Sequence, residues 1–362
     1  MTTPRHFIGL DVSQKTTAVC IIDEKGKVIS EGSCLTRPFD LANYIRKRSE
    51  HVEKVGLEAG ALSPWLNTEL TKAGLPVVML ETFQTYRALS MRRNKTDKND
   101  ARGLAELMRM GEDWIRVVHL KSLWAQEART TLSLRHNLVD MRVRLENRIT
   151  GLMKPFGLLV SRGSVTHDTF RERVLDKLRS ASSDGINLYG SILPMLDMHR
   201  DMWRQVDEYD KAVDKMANAD PVCLRLMTVP GVGPVTALTY VTAIDDPSRF
   251  KNADDIGAYF GLTPRVFQSG ESHQTGKISK RGDSMVRLAL VRAATVMLVS
   301  SKTWTPLRAW GVKLARRVGF NKAKIAVARK LAVLLHKLWV SGEDFKPKRI
   351  KEPPMPMEGV VV

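Results

Sequence analysis

Ile8-Gly9-Leu10-Asp11-Val12-Ser13, near the start of the chain, decides how the N-terminal part folds. It closes a short apolar run, His6–Val12, and a second such run covers Thr17–Ile22. The turn sequence Glu24-Lys25-Gly26-Lys27 then leads into a third run, Val28–Cys34. Short apolar runs bounded by turn residues predict β-strands, so the chain is expected to begin with three strands in hairpin order.

Helical and strand-like segments alternate after these three strands. Phe39–Arg48 and Pro64–Lys72 have helical patterns, and the second begins with a proline, which suits the first turn of a helix. Val52–Leu57 and Leu75–Leu80 are apolar runs typical of buried strands. The sequence therefore predicts an α/β domain with a mixed sheet that ends near residue 110.

Carboxylates follow two of the predicted strands. Asp11 lies where the first strand ends, and Glu58 comes just after Val52–Leu57. Ligands of open α/β sheets gather at the carboxyl ends of the strands, so these two acids are expected to face one site. Asp97 and Asp100 are three residues apart and would share one face of a helix.

Four acids in one pocket would repel one another unless cations lay between them. Mg²⁺ prefers such all-oxygen sites, with Mn²⁺ as a substitute, and two ions about 4 Å apart can activate a nucleophile and stabilise the leaving oxygen of a phosphodiester. A structural explanation remains open, because Asp97 and Asp100 behind a Thr96 or Asn94 N-cap would favour the helix dipole without any metal. Asp11 alone can be a turn residue.

The charge of the chain points to a polyanionic partner. The 362 residues include 57 Lys and Arg against 39 Asp and Glu, a net charge of +18 and a pI near 9.9. Residues 251–340 alone hold 17 basic and four acidic residues. Such a segment favours nucleic acid over a membrane, because its charges are scattered among Gly, Asp and Ser rather than forming one long amphipathic helix.

Neither secretion nor a disulfide framework is indicated. No apolar run approaches the roughly 20 residues that cross a bilayer, and the N-terminal residues lack the pattern of a secretory signal, which predicts a cytoplasmic protein. Cys20, Cys34 and Cys223 are far apart, without the CxxC spacing of a zinc site.

The middle of the chain predicts two long helices. Their apolar residues have heptad-like spacing. The first seam is Leu134, Leu138, Met141, Leu145, Ile149 and Leu152, and the second is Met195, Met198, Met202, Val206, Tyr209, Val213 and Met216. A polar connection, residues 161–184, lies between them. Two arrangements remain open: an antiparallel pair within one chain, or an arm that pairs with another subunit.

The segment Thr228-Val229-Pro230-Gly231-Val232-Gly233-Pro234 opens the C-terminal region, expected to run as short helices and loops to about residue 341. A turn with Gly231 and Gly233 would expose backbone N–H groups at a helix N-terminus, where a phosphate can bind. This resembles a helix-hairpin-helix DNA-binding element, although a plain interhelical turn explains the same residues. The last 20 residues, with four prolines, are expected to form a disordered tail.

Ser269 lies beside Gly270 in a predicted loop that continues into the basic residues Lys277, Lys280 and Arg281. These cations can balance the charge of phosphoryl oxygens. A serine nucleophile would retain a broken phosphodiester as a phosphoserine ester, so rejoining needs no ATP. A lone loop serine usually only forms hydrogen bonds, and nearby serines are its rivals for this role: Ser272, Ser279 and Ser284.

Taken in order, these segments resemble the DEDD-type insertion-sequence transposases, whose relatives include the Piv-type DNA invertases and the bridge-RNA-guided recombinases. The resemblance covers nearly the whole chain. It rests on an N-terminal and a C-terminal set of motifs. The first set is Gly9-Leu10-Asp11-Val12, Glu58-Ala59-Gly60 and Lys95-Thr96-Asp97-Lys98-Asn99-Asp100-Ala101, and the second is Pro230-Gly231-Val232-Gly233, Gly261-Leu262-Thr263-Pro264, Gln268-Ser269-Gly270 and Ile278-Ser279-Lys280-Arg281-Gly282.

The resemblance implies a RuvC-like, ribonuclease-H-fold catalytic domain over residues 1–115. It further implies a helical coiled-coil region for oligomerisation (116–222), a C-terminal, mostly helical transposase domain (223–342) and a tail (343–362). Asp11, Glu58, Asp97 and Asp100 would hold Mg²⁺, and Ser269 would be the nucleophile of a composite site. The partners it implies are donor and target DNA, a noncoding bridge RNA and further copies of the chain in a dimer or tetramer, with no membrane.

Three other functions fit parts of the sequence. A Holliday-junction nuclease on the same fold would use water in place of Ser269. The Phe7–Ser13 stretch also resembles the first phosphate-binding strand of actin-like sugar kinases, but the second glycine-rich phosphate motif of those kinases is missing and a charge of +18 is unusual for them. A non-catalytic nucleic-acid-binding protein is the third, and the complete set of four acids argues against it.

Overall fold

A computed structural model describes residues 4–90, 94–111, 114–161, 167–183, 185–270 and 272–347. The chain divides into two compact units, residues 1–120 and 121–362. The predicted central region and C-terminal domain both belong to the second unit, so the boundary between them stays a prediction. None of the helices in the described ranges is both long enough and apolar enough to cross a lipid bilayer.

The first unit is built on a five-stranded sheet with the order β3-β2-β1-β4-β5. β1 pairs with β2 and β2 with β3 in antiparallel fashion, whereas β1, β4 and β5 run parallel. The predicted mixed sheet is confirmed, and each predicted strand starts or ends within two residues of the observed one. The strands are β1 (His6–Val12), β2 (Thr16–Asp23), β3 (Val28–Leu35), β4 (Val52–Glu58) and β5 (Val77–Leu80).

Helices cover both faces of this sheet. Successive side chains of a strand point to opposite faces. In β1, Ile8 and Leu10 join the apolar cluster formed with the first two helices, whereas Phe7 joins the cluster formed with the fourth helix. The helices are α1 (Pro38–Arg46), α2 (Ser63–Lys72), α3 (Thr82–Leu89) and α4 (Asp97–Met110).

The second unit is mainly helical, and α9 lies at the centre of its main core. Every residue of α9 from Thr236 to Ile244 is buried. The hydroxyl of the fully buried Tyr240 donates a hydrogen bond to the carbonyl of Ala332, 2.7 Å away. The helices of this unit are α5 (Leu123–Met153), α6 (His167–Ser183), α7 (Tyr189–Ala219), α8 (Pro221–Met227), α9 (Pro234–Ile244), α10 (Asp255–Tyr259), α11 (Ser284–Val299), α12 (Pro306–Val318) and α13 (Phe320–Ser341).

One sequence expectation for the second unit is wrong, and one segment holds a helix that the sequence did not predict. The C-terminal region contains long helices, of 16 residues in α11 and 22 in α13, and a β-hairpin of β6 (Pro264–Ser269) and β7 (Ser272–Ile278), rather than short helices and loops. The polar connection contains α6, whose Phe170, Val174 and Leu178 enter a small apolar core. The polar residues of α6 occupy its exposed face, and their number obscured the apolar periodicity of the buried face in the sequence.

The two long helices, α5 and α7, pack side by side in antiparallel orientation. The start of α5 shares the main core with the end of α7, and its end packs against the start of α7. Ile149, Val206 and Val213 of the predicted seams are buried, but Met141 and Met198 are about half exposed. Between the two cores the contact is polar: the buried ring of His199 lies 2.8 Å from a carboxylate oxygen of Glu146, and the Arg142 guanidinium lies over the Trp203 ring.

The described part of the predicted tail, residues 343–347, packs on the second unit. The backbone N–H of Phe345 donates to the Thr228 hydroxyl, 2.9 Å away, and its ring packs against the main core. The expectation of disorder is therefore wrong for Phe345. Residues 348–362, the rest of that prediction, lie outside the described residues.

Candidate functional site

Asp11 and Glu58 lie on adjacent parallel strands and on the same face of the sheet. Leu10 of β1 is aligned with Leu57 of β4, so the next residues, Asp11 and Glu58, are neighbours across the two strands. Leu10 and Leu57 both belong to the apolar cluster on the α1 and α2 side. Alternation then turns the side chains of Asp11 and Glu58 to the opposite face, which α4 covers.

Two glycines let α4 lie directly on that face. A Cβ on Gly9 would come within 2.0 Å of the carbonyl oxygen of Ala101 and 2.4 Å of the amide nitrogen of Ala105. A Cβ on Gly56 would come within 2.5 Å of the Met108 side chain. The backbone of α4 thus runs against β1 where Gly9 has no side chain, and its N-terminal turn lies beside the carboxyl end of that strand.

That first turn carries the other two acids. Thr96 is the N-cap of α4, and its hydroxyl accepts a hydrogen bond from the backbone N–H of Asn99 at 3.2 Å. Asp97 and Asp100 both lie in the first turn. The predicted cap at Thr96 is confirmed, and the helix dipole favours carboxylates here, so the positions of Asp97 and Asp100 have a structural explanation that needs no metal.

The four acids act on one another electrostatically. Burial raises the pKa of the Asp11 carboxyl, and the negative charges of Asp100 and Asp97 raise it further. Burial also raises the pKa of Glu58, with a further contribution from Asp11. The charges of Asp97 and Asp100 thus act on Asp11, and those of Asp11 and Asp100 act on Glu58, which places the four acids in one region of the first unit.

The donor set suits a hard divalent cation, since every group in it is a carboxylate oxygen. Among the described residues, however, no three or more His, Cys, Asp or Glu side chains stand close enough around one point to hold a metal ion. Mutual repulsion drives carboxylates apart where no cation lies between them. Asp11, Glu58, Asp97 and Asp100 would therefore have to come closer together before they could share an ion.

Sequence reasoning missed two charged residues beside these acids. Glu81 follows β5, the third parallel strand, and its carboxylate raises the pKa of Glu58. It also caps α3 by accepting a hydrogen bond from the backbone N–H of Gln84 at 2.8 Å. Lys95 lowers the pKa of both Asp11 and Glu58 by its positive charge. Glu81 directly follows an apolar strand, as Glu58 does, so the pattern that identified Glu58 could also have identified Glu81.

Ser269 is the last residue of β6 and belongs to the second unit. It pairs with Ser272 across the hairpin, with Gly270 in the turn at a φ of 56°. All six residues of β6 are exposed, so the hairpin projects from the core that supports it. The predicted loop at Ser269 is wrong in this respect, because the serine is held in a strand.

The base of the hairpin is fixed by two glycines at positive φ. A Cβ on Gly261 would come within 2.0 Å of the carbonyl oxygen of Arg281, and a Cβ on Gly282 within 2.1 Å of that of Tyr259. The two motif segments therefore lie backbone against backbone. The Arg287 guanidinium donates to the carbonyls of Arg281 and Gly282, at 3.0 and 2.9 Å.

The predicted phosphate-binding cations surround this base. Lys277 lies on β7, and Lys280 and Arg281 follow it; all three are exposed. Lys280 has a φ of 55°, a conformation that non-glycine residues rarely adopt. Its backbone N–H donates to the carbonyl of Gly261, 3.1 Å away, which ties the strained residue to the facing motif.

Gly231 and Gly233 lie in the turn between α8 and α9, as predicted. A Cβ on Gly231 would come within 2.6 Å of the carbonyl oxygen of Ala293 in α11, and its φ is 88°. Gly231 therefore has a packing role, whatever its part in binding. Gly233 is the N-cap of α9, and a Cβ there would meet nothing within 4 Å. A phosphate would find more room at Gly233 than at Gly231.

Comparison with known proteins matches two segments of the chain to transposase families. Residues 8–156 match a transposase family described as DEDD transposase of the IS110 type, and residues 223–308 match the transposase IS116/IS110/IS902 family. Domains of the first kind are typically dependent on a divalent metal. The acids lie in the first match and Ser269 in the second.

Individual relatives agree with these matches. The transposase for insertion sequence element IS1111A of Coxiella burnetii is 29% identical over 352 residues, which cover 94% of this chain and 91% of that protein. The transposase for insertion sequence element IS1328 of Yersinia enterocolitica is 28% identical over 61% of this chain and 65% of its own length. A pilin gene-inverting protein of Moraxella bovis is 34% identical over 35% of this chain and 39% of its own length.

Proposed function

This chain belongs to the IS116/IS110/IS902 transposase family, and we propose that it cuts and rejoins DNA strands through a phosphoserine ester on Ser269. In this proposal Asp11, Glu58, Asp97 and Asp100 hold divalent ions, Mg²⁺ or Mn²⁺. The observation that supports it most is that Asp11 and Glu58 end adjacent parallel strands, and that the charges of Asp97 and Asp100 in the first turn of α4 act on Asp11. The sheet order, with three antiparallel strands followed by two parallel ones, agrees with a ribonuclease-H-like domain.

The chemistry requires a nucleophile and a means to stabilise the leaving group. The Ser269 Oγ would attack the phosphorus of a phosphodiester, a P–O bond to one deoxyribose oxygen would break, and that oxygen would leave as a hydroxyl after taking up a proton. The strand end then stays on Ser269 as a phosphate ester. In rejoining, the hydroxyl of another strand attacks the same phosphorus and releases the serine, so the number of phosphodiester bonds is unchanged.

The two halves of the site have different supports. The acids are held at the edge of a packed sheet and helix, whereas Ser269 stands at the tip of an exposed hairpin. A bound divalent ion would supply charge neutralisation at the phosphoryl and leaving oxygens. Lys277, Lys280 and Arg281, near the base of the hairpin, would bind the flanking phosphates of the strand.

Denaturing gels test the proposal directly. Protein incubated with its element-end DNA and Mg²⁺ is expected to form a covalent protein–DNA adduct that survives denaturation. Ser269→Ala should abolish the adduct, whereas Ser272→Ala, the matched change across the same hairpin, should keep it. Free cut ends with no adduct, in wild type and Ser269→Ala alike, would instead indicate hydrolysis by water and refute the serine mechanism.

Guidance by RNA and assembly into oligomers extend the proposal. A structured noncoding RNA encoded at the element's end would pair with donor and target DNA, and the net charge of +18 suits a protein that binds several polyanions. The half-exposed Met141 and Met198 on α5 and α7 favour pairing of this arm with a second copy. Co-expression with the flanking segments should retain a discrete RNA on the purified protein, and light scattering should give a dimer or tetramer.

A further inference from the structure

A large groove of the second unit lies between the β6–β7 hairpin and helices α12 and α13. Its volume is about 1240 Å³, above the roughly 300–1,000 Å³ of pockets that enclose a small molecule. Residues of the hairpin line it on one side, and residues of α12 and α13 line the rest. Its size suits an occupant larger than a small molecule.

The walls of the groove are strongly basic. Among its described lining residues, six are basic and one, Asp254, is acidic. The six are Lys277, Lys280, Lys322, Arg329, Lys330 and Lys337. A segment of this size with an excess of five positive charges attracts a polyanion and disfavours a second copy of this chain, which itself carries +18.

The floor of the groove, in contrast, is apolar and aromatic. Trp310 of α12 lies there with Ile325, Val333 and Leu334 of α13, all of them half-buried. The Lys330 ammonium stands over the Trp310 indole, 4.3 Å from the ring centroid. The indole therefore presents a face inside the groove, and the cation at the end of the flexible Lys330 side chain lies over that face.

We propose that this groove binds an unpaired strand of nucleic acid, with a base stacked on Trp310 and the phosphates on the surrounding lysines. A base on an indole forms a stronger contact than an exposed ammonium does, so the base would displace Lys330, whose amine can then reach a phosphate. A duplex fits the groove less well, because its bases are stacked inside and leave an apolar floor unused.

This inference deepens the proposed function, on which its biological use rests, but binding in the groove requires neither Ser269 nor the acids. An unpaired strand is present whenever strands are exchanged between duplexes, and also in the loops of a structured RNA. The chemistry recognised is the same in both, namely unpaired bases on a phosphate backbone. DNA and RNA probes separate the two sources.

Fluorescence anisotropy of the full-length protein tests the groove. The probes are end-labelled oligothymidylate and oligouridylate of about ten nucleotides, a length typical of single-strand binding sites, and a duplex of equal length, all in EDTA. Trp310→Leu removes the aromatic face and Trp310→Phe restores one. A triple variant, Lys322→Ala/Lys330→Ala/Lys337→Ala, removes phosphate contacts, and Lys313→Ala/Arg317→Ala, exposed on α12 outside the groove, is the matched control.

Trp310→Leu should weaken single-strand binding about 5- to 150-fold, the effect of one stacked base, without changing its salt dependence. Trp310→Phe should recover most of that loss. The triple variant should lower the slope of log affinity against log salt by about 2, since each single-strand contact contributes about 0.7. The control double variant should leave that slope nearly unchanged, because its charges lie outside the groove, whereas two lost phosphate contacts would lower it by about 1.4.

Two results would overturn the inference. The first is that Trp310→Leu and the triple variant bind the single strands as tightly as the Lys313→Ala/Arg317→Ala control does. The other is an equal loss for the duplex and the single strand in Trp310→Leu, which would make the groove a general basic surface. Ser269→Ala should bind both oligonucleotides like the wild type. If the wild type binds them in the groove but forms no covalent adduct with element-end DNA and Mg²⁺, the serine mechanism is refuted and the groove stays assigned.

Discussion

Replacing Gly9 with alanine should separate the acids of the candidate site without altering any of them. The added Cβ would lie 2.0 Å from the Ala101 carbonyl oxygen and 2.4 Å from the Ala105 amide nitrogen. Both are backbone atoms inside α4, so no side chain can rotate away to make room. The helix as a whole must move away from β1.

The size of that movement follows from the two distances. Contacts of Cβ atoms below 3.0 Å are essentially never observed, so α4 must retreat by at least about 1 Å at Ala101. Asp100 is the preceding residue and Asp97 lies one turn earlier, so both carboxylates move with the helix while Asp11 stays on β1. Overpacking of this kind costs about 1–3 kcal/mol of stability, and a 1 Å error in positioning can cost about 100-fold in rate.

Thermal unfolding and adduct formation measure the two effects. Gly9→Ala is expected to lower the melting temperature and to slow adduct formation about 100-fold. Gly60→Ala is a size-matched control in the same unit, because its Cβ would meet only the Ser63 hydroxyl at an ordinary 3.6 Å. Wild-type stability and rate in Gly9→Ala would refute the close approach of α4 and the convergence of acids inferred from it.

Three further predictions concern charge. Asp11→Asn should raise the melting temperature in EDTA, because the raised pKa of Asp11 reflects burial and repulsion by neighbouring carboxylates. In Mg²⁺ at about 100 times Kd, the wild type should gain about 2.7 kcal/mol of stability and the variant clearly less. Equal stabilisation of both would argue against a metal role for Asp11. Lys280→Gly should raise the free energy of unfolding by up to about 1 kcal/mol, because glycine adopts the positive φ without strain. The same change should weaken DNA binding, measured by fluorescence anisotropy. A change in stability without a change in binding would show that Lys280 does not contact phosphate. Burial lowers the pKa of Lys121 from 10.5 to about 8. The unfolded chain therefore keeps this proton to a higher pH than the folded chain does. The free energy of unfolding should then rise between pH 8 and 10.5. Urea unfolding at pH 7.5 and 9.5 should show the wild type gaining about 2 kcal/mol relative to Lys121→Met, and parallel pH profiles of the two proteins would contradict it.

The sheet and its acids were predictable because local and global signals agree there. Apolar runs of four to eight residues, ended by turn residues, marked each strand of the first unit, and Asp11 and Glu58 were identified by their positions at strand ends. The face on which α4 lies was not predictable, since it depends on Gly9 and Gly56, and a glycine in a strand indicates close approach without naming the partner.

The second unit was less predictable because its pattern carries mixed signals. The hairpin around Ser269 is exposed on every residue of β6, so it lacks the alternation that marks a half-buried strand. In α5 and α7, heptad spacing predicted a continuous apolar seam, but charged and aromatic pairs such as Glu146 with His199 fill the middle of the contact. Polar contacts between helices produce no periodic apolar pattern in the sequence, because each polar residue taken alone resembles a solvent-exposed one.

The different supports of the acids and of Ser269 favour a site that becomes complete only on assembly. The acids lie where the backbones of β1 and α4 pack closely, and the negative charges of Asp97 and Asp100 raise the pKa of Asp11. Ser269 stands on a hairpin whose first strand has no buried residue, and the phosphate-binding cations lie at its base. In the proposed mechanism, Ser269 would attack only after a strand is bound along these basic residues and its phosphate reaches the divalent ions. Cutting would then be limited to DNA already positioned for rejoining, which protects a cell from free strand breaks.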